Sequence, residues 1–354
     1  MNKPDPIIIL GEEKDYDAVV DGYAGIEKDI RTNKFRYREI WDGFLPPSNG
    51  EEKQVWQMAY NPLVCMAPIY FDDPNKPIGQ LDYFVYVINL GRDSRPHTAD
   101  KKDKTGIHEQ DCPVCVNNLT PRMILADFSG FTFTPNKFPY HNYSSLLVSK
   151  DVSKEQDTPT VEDIKTLMRF SILTGQSVFY NTFDAGATIK HPHAQVVDPE
   201  EIKSRGKQLE YPLLRAKREK IARGIERVVD YAIDCVVFDG RDAPFRTYEL
   251  YNNLLRKGHK YNFLISGRKI FVFGRNPYKE RSPCIEKPVG TYELMGIIQL
   301  GNVYERKPDG KEAKLITDAT ELFRCIPPER IAENLDFACV GLDSFIKHYE
   351  RKSA

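Results

Sequence analysis

His191-Pro192-His193-Ala194-Gln195-Val196-Val197 is the stretch on which the reading of this chain turns. Read as a β-strand, alternate side chains face the same way, so His191, His193 and Gln195 share one face and Pro192, Ala194 and Val196 the other. Proline cannot donate to a ladder, which places the segment at a sheet edge or at a ladder interruption, where a ligand can approach. A neutral imidazole, with an unperturbed pKa of about 6.5, is a competent nucleophile near neutral pH. To attack phosphorus it needs its second ring nitrogen held by an acceptor, commonly a backbone carbonyl, and donors for the phosphoryl oxygens. Gln195 supplies such a donor. A carboxamide cannot act as general acid or base, so the site suits transfer between phosphates better than hydrolysis.

Outward from this segment the elements fall into order. Upstream, Phe131-Thr132-Phe133 and Ser145-Leu146-Leu147-Val148 read as adjacent strands across the turn-prone Pro135-Asn136-Lys137-Phe138-Pro139. Thr160 stands three residues before Asp163, with Ile164, Leu167, Met168 and Ile172 following at helical spacing. This predicts an amphipathic helix to about Phe179, then a glycine-bearing loop at Gly186. Strand, strand, helix, strand is the order of an α+β unit on an antiparallel sheet. Downstream, residues 201–230 are dense in Lys, Arg and Glu with Ile221, Ile225 and Val228 at helical spacing, predicting a surface helix that joins two halves. Tyr261-Asn262-Phe263-Leu264-Ile265 and Ile270-Phe271-Val272-Phe273 then form two strands around Gly267-Arg268, a pattern like a second copy of the Asn136-to-Val148 layout. In the first hundred residues the clearest strand is Phe84-Val85-Tyr86-Val87-Ile88.

The 354 residues exceed the usual size of one core, which favours two units or two like halves. Hydrophobic residues at 41% and charged ones at 29% describe a folded soluble chain. A formal net charge of -1 argues against nucleic acid or a membrane surface as partner. Seven scattered cysteines point to a reducing compartment, and the Ile7-Ile8-Ile9-Leu10 run is too short for a signal or span, so a cytoplasmic location is the expectation. Cys112-Pro113-Val114-Cys115 has the spacing of two thiolates on one structural zinc, with His108, His141 and His191 the nearest residues to complete it; an empty, vestigial site and a redox pair are the alternatives.

Together these residues resemble the histidine-triad superfamily, in its branch of galactose-1-phosphate uridylyltransferases and dinucleotide or NDP-sugar phosphorylases. That branch carries H-x-H-x-Q with the middle histidine as nucleophile, here His191-Pro192-His193-Ala194-Gln195. Cys112-x-x-Cys115 followed by Asn118, the Asn136-Lys137-Phe138-Pro139 turn, and Phe179-Tyr180-Asn181 before the active-site loop resemble further family segments in order and spacing. Tyr261 to Ile265, with Glu293-Leu294-Met295-Gly296 later, is similar to the phosphorylases' silent second half. Where the family's zinc site often takes a histidine, this chain reads Ser149-Lys150-Asp151-Val152-Ser153.

The resemblance implies a fold of two fused histidine-triad-like (HIT-like) halves, each an antiparallel sheet with a packed helix. Residues 111–200 would be the catalytic half, 201–230 the connection, 231–354 the silent half and 1–110 an accessory region building an acceptor pocket or a homodimer contact. It further implies that His193 carries the nucleotidyl group and Gln195 binds the α-phosphate. Gly186, Ala187 and Thr188 would bring backbone to the phosphates, while Asn136 and Asn181 meet the nucleoside and phosphate. The donor would be a nucleotide sugar or a dinucleoside polyphosphate, and the acceptor a sugar phosphate or inorganic phosphate. His-Pro-His favours hexose-1-phosphate and uridylyl transfer, whereas the Asn-Lys-Phe turn favours phosphorolysis; the balance tips toward the former. The rival from another class is a zinc-stabilised nucleotide- or RNA-binding module.

Overall fold

The computed structural model describes residues 126–136, 145–183, 185–187, 189–197, 211–276, 289–300, 333 and 335–353, with Cys112, Val114, Cys115 and four short strands elsewhere. In chain order the strands are β1 (Ala67–Tyr70), β2 (Val85–Ile88), β3 (Ala126–Phe128), β4 (Phe131–Pro135), β5 (Ser145–Ser149), β6 (Ser177–Asn181) and β7 (His193–Val197). They continue as β8 (Arg218–Ala222), β9 (Ile225–Val228), β10 (Val236–Asp239), β11 (Lys260–Ser266), β12 (Lys269–Arg275), β13 (Ile297–Leu300), β14 (Tyr304–Glu305), β15 (Lys314–Leu315) and β16 (Cys339–Val340). The helices are α1 (Val161–Thr174), α2 (Pro212–Arg215), α3 (Ala243–Arg256), α4 (Thr291–Leu294) and α5 (Asp343–Ser353).

The order across the main sheet is β3-β4-β5-β7-β6-β11-β12-β10-β9-β8, with β16 beside β12, and every pairing in it is antiparallel. The sequence β4-β5-α1-β6-β7 and the sequence β9-β10-α3-β11-β12 trace the same path. The two halves meet at β6 and β11, so their sheets are one sheet with an internal pseudo-twofold. The α+β expectation of two fused HIT-like halves is the observed architecture. By this topology β11 and β12 copy β6 and β7, not the Asn136-to-Val148 layout that their hairpin suggests.

Alternation sorts the sheet into two faces. Phe133, Leu147, Val178, Tyr180, Ala194, Val196, Tyr261, Phe263 and Val272 bury one face against α1, α3 and α5 in a single core. Tyr180 stacks on Phe263 at 5.1 Å across the junction of the halves. Helix α1 starts at a capping box in which Thr160 Oγ1 accepts from the Asp163 amide at 3.1 Å, and Asp163 accepts from the Thr160 amide at 2.8 Å. It stops at Gly175, whose φ of 69° no other residue adopts cheaply, so Phe179 belongs to β6 and not to the helix.

The segment 201–230 departs further from the sequence reading. Its described part is the four-residue α2 and the β8–β9 hairpin, with no connecting helix. Ala222, Ile225 and Val228 are buried. The turn at Arg223-Gly224 and a register shift between Lys220 and Ala222 break the twofold alternation and leave apolar spacings that mimic a helix. In the accessory region β2 coincides with the expected strand, and it lies between β1 and the parallel β13 from the second half. Among the described residues no helix is long and apolar enough to cross a membrane.

Candidate active site

Strand β7 is not an edge: it lies between β5 and β6. The proline marks an interruption instead. Pro192 precedes β7, its carbonyl accepting from the Ser149 amide at 2.9 Å, and the β6–β7 ladder ends at Phe179–Gln195. His193 and Gln195 share the face away from the helices, as expected, because His193 pairs with Val148 and Gln195 with Leu146. His191 sits before the strand, and its Nε2 lies 2.7 Å from the Ser149 carbonyl. A carbonyl can only accept, so that nitrogen carries hydrogen and ties the approach to β7 onto β5.

His193 is 7% exposed and its Nδ1 lies 2.9 Å from the His191 carbonyl. The same argument makes Nδ1 the donor. In the neutral ring the lone pair is then on Nε2. Gln156, 1% exposed, holds the main chain of His193 from the other side. Its Oε1 accepts from the His193 amide at 2.7 Å, and its Nε2 donates to the carbonyls of His193 at 3.0 Å and Asn181 at 2.6 Å.

Asn181 ends β6 beside this gap. Its Oδ1 accepts from the Thr291 amide at 2.8 Å and the Thr291 hydroxyl at 2.7 Å, which leaves Nδ2 as the group able to meet a ligand. The following loop is clamped by the other half. Asn262 Oδ1 accepts from the Thr182 amide at 3.1 Å while its Nδ2 donates to the Ala185 carbonyl at 2.7 Å. Asp157, paired with Lys260, accepts from the Phe183 amide at 2.6 Å. Gly186 has a φ of 117°, and a β-carbon there would lie 2.7 Å from Gly290 Cα, so glycine is demanded by packing as well as by backbone.

The structure thus links His193 to Asn181 through Gln156 and packs Gly186 against Asn181, with the Ala187 amide donating to the Thr182 carbonyl at 3.2 Å. Thr188 lies outside the described residues. Asn136 is buried on the same face, but the pairings place it level with Val197, four residues or roughly 13 Å along the strand direction from His193. Gln156, Asp157 and Thr291 carry no signal in the sequence, and Asn262 reads only as one polar position in a strand.

Cys112 and Cys115 share one turn, the Cys115 amide donating to the Cys112 carbonyl at 3.3 Å, and pack with Leu146 and Val148 on the face that carries His193. Burial pushes the Cys112 thiol above its ordinary range. Among the described residues no three His, Cys, Asp or Glu gather as a metal group, and the His191 Nε2 bonds to the Ser149 carbonyl. His108 and His141 lie outside the described residues.

A palindromic antiparallel sheet of two like halves, with H-x-H-x-Q leading into one inner strand, defines a HIT-like fold. No protein-family model and no curated protein matches the sequence. Among solved structures the chain is similar to yeast Ap4A phosphorylase Apa2, with a TM-score of 0.51 and 14% identity over 81% of this chain and 96% of that one. The same yeast enzyme in complex with AMP gives a TM-score of 0.49 at 14% identity, covering 82% and 97% of the two chains. The likeness at a TM-score of 0.51 shows the fold.

Proposed function

We propose that the protein is a nucleotidyl-transferring enzyme that works through a covalent nucleotidyl-His193, with a dinucleoside polyphosphate as donor and inorganic phosphate as acceptor. The observation that carries it is the Nδ1–H bond of His193 to the His191 carbonyl, which aims a lone pair through Nε2. Nε2 forms a bond to the donor's α-phosphorus, and the bond from that phosphorus to its bridging oxygen breaks, its electron pair leaving with the nucleoside polyphosphate. The ring becomes cationic, and the carbonyl at Nδ1–H stabilises that charge without taking the proton. A phosphate oxygen then attacks the same phosphorus, the P–N bond returns its electrons to Nε2, and a nucleoside diphosphate departs. Gln195 supplies an amide to the α-phosphoryl oxygens, and Asn181 offers its Nδ2 as a donor.

The fold neighbour's name supports phosphorolysis over uridylyl transfer, the reading toward which the His-Pro-His form leans. The test incubates the protein with α-labelled adenine, guanine and uracil donors, without acceptor, and quenches in alkali. We expect acid-labile label on the wild-type chain and none on His193→Ala, discharged faster by inorganic phosphate than by hexose-1-phosphate. Faster discharge by hexose-1-phosphate restores the uridylyltransferase reading. No label from any donor moves the assignment to a nucleotide-binding module.

A further inference from the structure

Strands β6 and β7 separate where the candidate nucleophile begins. Their ladder stops at Phe179–Gln195, although the same register carried on would set Asn181 opposite His193. The side chain of Gln156 occupies the gap instead, bonded to the His193 amide and to the carbonyls of His193 and Asn181. Gln156 is itself fixed at both ends of its own peptide: its amide donates to the Lys190 carbonyl at 2.8 Å, and its carbonyl accepts from the Tyr180 hydroxyl at 2.7 Å. Paired strands lie about 4.8 Å apart. A carboxamide between them replaces one hydrogen bond by two in series, so Asn181 and His193 stand further apart than a ladder allows. The side-chain amide of Asn181 and the ring of His193 flank the widened gap.

We infer that Gln156 is the positioning residue of the nucleophile. Its carboxamide substitutes for a backbone rung, sets the main chain of His193 and hence the line of Nε2, and holds open the space that an α-phosphoryl group would enter. This inference rests on the reading of His193 as nucleophile. A ladder would also hold His193, but would close that space; an unfilled gap would leave three backbone groups without partners and the ring free to swing. One glutamine meets both requirements, since it alone among side chains of this length and charge presents an acceptor and two donors in one plane.

The experiment measures adduct formation in a single turnover, at saturating α-labelled dinucleoside polyphosphate, for wild type, Gln156→Leu and Gln156→Glu. Displacement of the attacking atom by about 1 Å costs about 100-fold in rate, so Gln156→Leu should lose about that factor while donor affinity changes little. Gln156→Glu gives a signature in pH. As the neutral acid it keeps one acceptor and one donor; as the carboxylate it sets only acceptors against two carbonyls. Burial beside carbonyl oxygens raises the pKa of the introduced carboxyl. Its activity is therefore present below that pKa and lost as pH rises through it, while wild type, needing a neutral ring, gains through the imidazole range and then stays level. Adduct formation by Gln156→Leu at the wild-type rate, or a level alkaline limb for Gln156→Glu, overturns the inference, and the second arm decides if the leucine variant does not fold. If wild type takes no label, the nucleophile reading fails separately. Nitrogen NMR of the His193 ring then decides the positioning: the Nδ1–H tautomer is fixed in wild type and averaged in Gln156→Leu if Gln156 holds it, and unchanged if it does not.

Discussion

In the proposed reaction His193 and Gln195 divide the chemistry between them. The imidazole offers a lone pair fixed by a carbonyl 2.9 Å away, and the carboxamide two positions along offers hydrogen bonds but no proton exchange. That division predicts the consequence of restoring a titratable group. Gln195→His places a general base beside the adduct and should raise hydrolysis relative to transfer by at least about tenfold; partition of label between free mononucleotide and transfer product measures it. An unchanged partition removes Gln195 from the account. At this scale the sequence was informative about His193, because period-two alternation and the amide at the third position speak to chemistry directly. It was misleading about His191, whose ring bonds to Ser149 one strand away.

Among the elements, the turn after β6 is the most constrained. Gly186 and Gly240 both have positive φ, 117° and 93°, but a β-carbon at Gly240 meets nothing within 4 Å, whereas at Gly186 it meets Gly290 Cα at 2.7 Å. Gly240→Ala should cost backbone strain alone, about 1–2 kcal/mol, and Gly186→Ala more, because the clash is added. Chemical denaturation of the two variants compares them, and equal losses would mean the Gly186–Gly290 contact yields without cost. At the start of α1 the reciprocal capping box predicts that Thr160→Ala costs about 1 kcal/mol by the same measurement, with no effect on the label taken up by His193. The start of this helix was written in Thr160-Val161-Glu162-Asp163, whereas its end was expected at about Phe179, beyond the Gly175 cap that stops it. The β8–β9 hairpin was not legible, since a turn and a register shift gave buried residues at helix-like spacing.

Across the whole molecule the two halves are one sheet, and the half without a histidine on its β12 strand nonetheless builds the site. Lys269 to Arg275 supplies no nucleophile at the position β7 occupies in the first half. Asn262 and Thr291 from the second half instead hold Thr182, Ala185 and Asn181. Cooperative unfolding follows from the shared β6–β11 pairing and the common core. Calorimetry on the intact chain should give equal calorimetric and van't Hoff enthalpies for the main transition, and two resolved transitions would show that the halves are stable alone.

The sequence by itself determined the strand that carries His193 and the α+β class, because each is carried by local spacing: alternation, helical periodicity, a cap. Only the tertiary structure decided how the halves join and which residues hold the site. Gln156 reaches His193 across 37 positions, Asn262 reaches Thr182 across 80 and Thr291 reaches Asn181 across 110. A side-chain amide bonded to distant backbone leaves no periodicity behind, and its partner exists only once the sheet has brought the two strands together.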